Sequence, residues 1–134
     1  MEKRDYLQDL IEKMAQFLRT LLQQLLKNEI QVETAIEQVS SFLNLDIKKL
    51  LLENKVSQRS QINTTEGLSL ENQELLADLF RVIAKQISNE DPNSAILYQK
   101  LALNLYQNID QESKMFSTER FQKISNLKST LQPT

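Results

Sequence analysis

Three sets of carboxylates fall at helical spacing in this chain: Asp5, Asp9 and Glu12; Glu29, Glu33 and Glu37; and Glu71, Glu74 and Asp78. Side chains three or four residues apart share one face of a helix, so each set is a candidate for general acid and base chemistry. The composition leaves little else. There is no histidine and no cysteine, which removes the Ser-His-Asp triad, the cysteine nucleophile, the disulfide, the Cys/His zinc site and the imidazole proton shuttle. A dimetal site in a helical bundle draws on Glu-x-x-His pairs. The single glycine cannot build either a Gly-x-x-x-x-Gly-Lys or a Gly-x-Gly-x-x-Gly phosphate cradle. Spacing of three or four is also what any solvated polar face produces, and nothing in the pattern encloses these acids. No catalytic residue, metal or cofactor is assigned, and the expectation is a protein that is not an enzyme.

The same charges read more naturally as recognition surface. Like charges four apart, as in Glu29, Glu33 and Glu37, cost a few tenths of a kcal/mol each unless water or a cationic partner relieves them. Farther along, Glu74, Asp78, Arg81 and Lys85 form a polar stripe in which Asp78 is spaced to pair with Arg81. Lys114, Arg120, Lys123 and Lys128 against Glu119 give the C-terminal segment a local charge of +3, suited to an acidic partner surface. The whole chain carries 16 basic and 18 acidic residues, a net −2, so no overall positive field is present to draw a phosphate backbone, and nucleic acid is not expected as a partner. The longest stretch free of Asp, Glu, Lys and Arg is nine residues, Leu101 to Ile109, against the roughly 20 apolar residues of a membrane span. Asp9, Glu12 and Lys13 interrupt any apolar run near the start that would serve as a secretory signal, and the expected location is the cytoplasm.

Elements that would carry these residues follow from periodicity. Twenty-three leucines, one glycine, two prolines and no tryptophan among 134 residues favour helices over a turn-dense β fold. Leu7, Leu10, Ile11, Met14, Phe17, Leu18, Leu21, Leu22 and Leu25 recur at three- and four-residue steps and predict a long first helix over about residues 5–26. Positions 7, 10, 14, 17 and 21 also obey a heptad, so pairing of this helix with a second copy in a homodimer competes with core packing. The additional stripe at 11, 18 and 25 is wider than a two-stranded seam requires and favours the core.

A second helix is expected over 31–43, with Asn28 and Gln31 as a capping box, and a third over 46–54, capped by Asp46 and stapled by Leu45 and Leu50. Residues 55–68 are polar and contain the only glycine, which predicts a long loop, either mobile or functional. Ser69 caps a fourth helix over 70–88. Asp91 caps a fifth, over 92–108, with Pro92 at its first position, where no N–H is missed. Phe116 and Phe121 stand at staple spacing before a sixth helix over 118–131, ended by Pro133. The fold class is all-α: about six helices in antiparallel hairpins, forming one domain over 1–134.

The segment Ser94-Ala95-Ile96-Leu97-Tyr98-Gln99-Lys100-Leu101-Ala102-Leu103-Asn104-Leu105-Tyr106 resembles the second helix of a tetratricopeptide repeat. Leu101 stands where alanine is commoner in that pattern, and no second copy follows. The resemblance implies tetratricopeptide-like packing in which the long first helix covers the single hairpin. The chain is also similar to a family of small, uncharacterised bacterial helical proteins. That likeness is carried by Arg4-Asp5-Tyr6 and Leu10-Ile11-Glu12 near the start, and by Phe116-Ser117-Thr118-Glu119-Arg120 and Lys123-Ile124 near the end. It implies the same fold and supplies no activity.

Two functions follow as expectations. The first is a non-enzymatic module that binds another protein or peptide in a groove beside helices four and five, with Arg81, Lys85, Tyr98 and Tyr106 as its contacts. The second is a binder of a small apolar ligand or acyl chain, prompted by the excess of leucine, methionine and phenylalanine. It needs a cavity between the first helix and the 70–108 hairpin.

Overall fold

Leucine-rich stripes and polar caps set out seven helices among the residues that the computed structural model describes, 3–132: α1 (Lys3–Leu26), α2 (Val32–Leu43), α3 (Ile47–Leu50), α4 (Lys55–Asn63), α5 (Leu70–Ile87), α6 (Pro92–Glu112) and α7 (Thr118–Leu131). There is no strand among them. Pro133, expected to end the last helix, lies outside the described residues.

Caps explain most of the boundaries. Side-chain oxygens of Asp46, Ser69, Asp91 and Ser117 each accept from a backbone N–H one turn on, meeting an otherwise orphaned donor. Pro92 takes the first position of α6. The Asn28–Gln31 capping box does not form. Gln31 caps α2 without a side-chain bond, and Asn28 instead adopts φ 57° at the end of α1. There, Glu29 N–H bonds to Gln24 O at 2.8 Å and Asn28 N–H to Leu25 O at 3.1 Å, the paired closure of a Schellman motif. Asn44, at φ 52°, ends α2 in the same way. Asparagine tolerates this left-handed conformation better than other side chains do, and it takes the role that glycine usually fills.

The largest departure from expectation is 55–68. It is not a long loop: Asn54 caps a helix, α4, by accepting from Ser57 N–H at 2.8 Å, and only residues 64–69 remain as a turn. The third helix accordingly stops at Leu50 and not near 54, and α6 runs one turn past the expected 108. Ile62 is the only fully buried apolar residue of α4, and Val56 is exposed. Amides hold the helix instead. Asn104 Nδ2 donates to Gln58 Oε1 at 2.9 Å and to Lys55 O at 3.1 Å, while its Oδ1 accepts from Arg59 Nε at 2.6 Å. One turn along α6, Asn108 Nδ2 donates to Asn63 Oδ1 and Gln73 Oε1, both at 2.9 Å. Gln58, Gln73, Asn104 and Asn108 are buried, and no buried side-chain polar atom among the described residues lacks a partner. A polar network of this kind is tolerable only when complete.

α5 and α6 form the closest pair in the fold. Ala77 and Ala84 on α5 and Ala95 and Ala102 on α6 are all buried and let the two backbones approach. Asn108 bonds Gln73, and the Tyr98 ring lies 5.7 Å from that of Phe80, so the two helices run antiparallel. α1 runs parallel to α5: Asn72 Nδ2 donates to Ile11 O at 3.0 Å and Gln86 Nε2 to Leu25 O at 2.7 Å, both spanning 61 residues. The connection α2–α4 therefore returns the chain to the end where α1 began. Gly67 makes that return possible. Its φ is 82°, and a Cβ there would stand 2.9 Å from Leu10 Cγ and 3.1 Å from Met14 Cε. Met14, Leu18, Leu21 and Leu25 of α1 are buried in one core with Leu76, Leu79, Phe80 and Ile83 of α5. Of the heptad positions, Met14 and Leu21 are thus spent inside the chain, while Leu7 stays exposed.

Candidate functional site

A surface groove of about 1040 Å³ lies where the start of α2, the end of α3 and the α5–α6 turn meet. Its position follows from the caps. The Schellman turn after α1 sends Ile30 and Val32 across the end of the α5–α6 hairpin, while the short α3 brings Leu51 and Leu52 to the opposite wall. Ile30, Val32, Ile87 and Leu97 are half-buried on its floor, and Leu52 stands 78% exposed at its edge. Glu33, Glu90 and Asp91 supply three carboxylates around it against one base, Lys48, whose Nζ is already 2.8 Å from Glu33. Glu33 belongs to the acidic ridge read from the sequence, and its relief comes from α3.

Tyr98 closes the inner end of this groove with its ring buried against Phe80. Burial, with a smaller contribution from the Glu33 and Asp91 charges, pushes its phenol up to about 12. Asp91, the cap of α6, is held below the usual carboxylate range by hydrogen bonds from Ser94.

The other three sequence-assigned contacts are not gathered here. Tyr106 is fully buried and cannot be an exposed contact. Burial, and then its hydrogen bond to Asp78, push its phenol far above the ordinary tyrosine value. Arg81 is half-buried, and Lys85 is exposed on the last turn of α5; neither lines the groove. Sequence reasoning missed Ile30, Val32, Leu51 and Leu52 as site residues because each fits the periodicity of a core stripe. Only the packing shows which of them stay partly open.

The stripe Glu74–Asp78 on α5 faces the chain's own last helix. Asp78 does not pair with Arg81, as its spacing suggests, but accepts from the Tyr106 hydroxyl and from Lys123 Nζ at 3.0 Å. Arg120, which is buried, bonds Glu74 at 3.0 Å, Asp110 at 2.5 Å and Met115 O at 3.1 Å. Burial opposes its charge, but the Asp110 and Glu74 carboxylates outweigh that and raise its pKa. Lys123 also lies 5.6 Å from the centre of the Tyr106 ring, within cation–π range. Apolar support for α7 is thin. Ile124 and Leu127 are its buried apolar residues, worth about 1.5–3 kcal/mol each when fully removed from water.

The remaining candidate acids are paired or open. Asp9 bonds Lys13 at 2.9 Å on the surface of α1, and Glu12 and Glu71 are exposed. Among the described residues, no three acids converge closely enough to hold a metal ion. The apolar-ligand reading places its cavity between α1 and the α5–α6 hairpin. Leu18, Leu25, Leu76, Leu79, Phe80 and Ile83 are 0% exposed there, which leaves no room beside them even for a water molecule. Among the described residues no helix is long and apolar enough to cross a membrane. No family model, no curated protein and no solved structure matches this chain.

Proposed function

We propose that the chain is a non-enzymatic, tetratricopeptide-like interaction module of the cytoplasm that holds a short segment of another protein in the α2–α3–α5–α6 groove. The segment presents two or three apolar side chains to Ile30, Val32 and Leu97, and flanks them with lysine or arginine. One observation carries this reading: half-buried apolar residues face each other under a rim of three carboxylates whose only base is already paired. Apolar anchors supply most of the affinity of such a contact, and rim charges supply orientation and on-rate. The parallel α1–α5 and antiparallel α5–α6 arrangement supports the tetratricopeptide-like description.

Selection of a displayed random-peptide library on the purified protein tests the proposal. Enriched peptides should combine apolar and basic residues. They should lose about tenfold or more in affinity on the variant Leu52→Asp/Glu90→Lys, both exposed positions, and bind Arg81→Glu/Lys85→Glu unchanged. Selected peptides indifferent to the groove variant, or no enrichment at all, would refute the assignment.

A further inference from the structure

α7 is attached to the rest of the molecule in an unusual way. Its backbone packs on α6, and it reaches α5 through two long side chains, Arg120 and Lys123. Of its fourteen residues, only Arg120, Ile124 and Leu127 are buried. The face beneath it is built for cations: Glu74 and Asp78, four apart on α5, and Asp110 of α6 all bond to α7 cations, and Asp78 also accepts from the Tyr106 hydroxyl. These acids would repel one another if left alone, and α7 relieves them with a guanidinium and an ammonium one turn apart.

The recognition pattern is thus Arg at i, Lys at i+3, and apolar residues at i+4 and i+7. It is specific in charge and geometry but light in buried apolar area. With only two buried apolar residues, and with Lys123, Glu74, Asp78 and Asp110 all partly open to water, α7 has few of the apolar contacts that raise local stability.

We infer that α7 is an exchangeable internal ligand of the α5–α6 face, and that this face accepts in its place a basic amphipathic helix of another protein carrying the same pattern. Charge complementarity selects the occupant: the carboxylates of Glu74, Asp78 and Asp110 accept a cation pair and refuse an acidic helix. The site uses different residues from the α2–α3 groove, and either can fail without the other.

The chain has no cysteine, so Lys100→Cys and Ser129→Cys, both exposed positions, place a donor and acceptor dye on α6 and α7 of the full-length protein. The probe is a synthetic peptide with the sequence of residues 116–132. Added peptide should lower energy transfer saturably, and a peptide with Arg120→Glu/Lys123→Glu should bind about tenfold or more weakly. A full-length chain with Glu74→Lys/Asp78→Lys should reverse the preference between the two peptides. If that variant fails to fold, the two titrations on the unreversed chain decide. Unchanged transfer up to millimolar peptide makes α7 a fixed part of the core and overturns the proposal. A fall in transfer with protein concentration alone assigns the face to a second copy and overturns it too.

Discussion

The Asn104 side chain of α6 donates 2.9 Å to Gln58 of α4, with both residues buried. This bond and its neighbours stand where an apolar stripe would ordinarily dock a helix.

Replacing Asn104 by alanine leaves Lys55 O, Gln58 Oε1 and Arg59 Nε without their partner. Unmet buried polar groups cost about 1–3 kcal/mol, so Asn104→Ala should lower the unfolding free energy by about 2 kcal/mol in urea titrations. Amide exchange should speed up in residues 55–63 well before it does in α5. Uniform acceleration across the chain would show that α4 is not held as described.

Gly67→Ala should be the most damaging single-methyl change available. The new Cβ meets Leu10 and Met14 at 2.9 and 3.1 Å on a backbone with φ 82°, and left-handed strain alone is worth about 1–2 kcal/mol. A total loss of about 2 kcal/mol or more is expected from thermal or urea melts.

Asn44 allows a contrast of sign. With φ 52° at the end of α2, Asn44→Ala should cost about 1 kcal/mol, whereas Asn44→Gly should hold stability or raise it. Equal losses for both would mean that the asparagine side chain, and not the backbone angle, matters there.

Alkaline pH should act through Tyr98 as well as through the more deeply buried Tyr106. The Tyr98 phenol is raised from 10 to about 12 in the folded chain, so the folded state keeps the proton at a pH where the unfolded state has lost it. The associated stability is whole below pH 10 and disappears as pH rises through about 12. Tyr98→Phe should therefore lose less stability than the unsubstituted chain between these limits, as read from urea midpoints at stepped pH.

Leucine periodicity and cap residues determined by themselves that this chain is all-helical, where α1, α2, α5 and α7 run, and how Ser69, Asp91 and Pro92 start their helices. Those signals are local: burial periodicity and orphaned N–H groups act within one or two turns. α4 was not legible because its anchors are amides, and an amide in a sequence looks the same whether it is solvated or bonded to Asn104 and Asn108. For the same reason Tyr98 and Tyr106 read as available contacts, although burial against Phe80 and beside Asp78 takes them out of solvent. Tertiary structure alone decided that α7 covers the Glu74–Asp78 stripe and that Ile30, Val32 and Leu52 line an open groove. Both depend on which faces meet across tens of residues, and no short-range spacing encodes that.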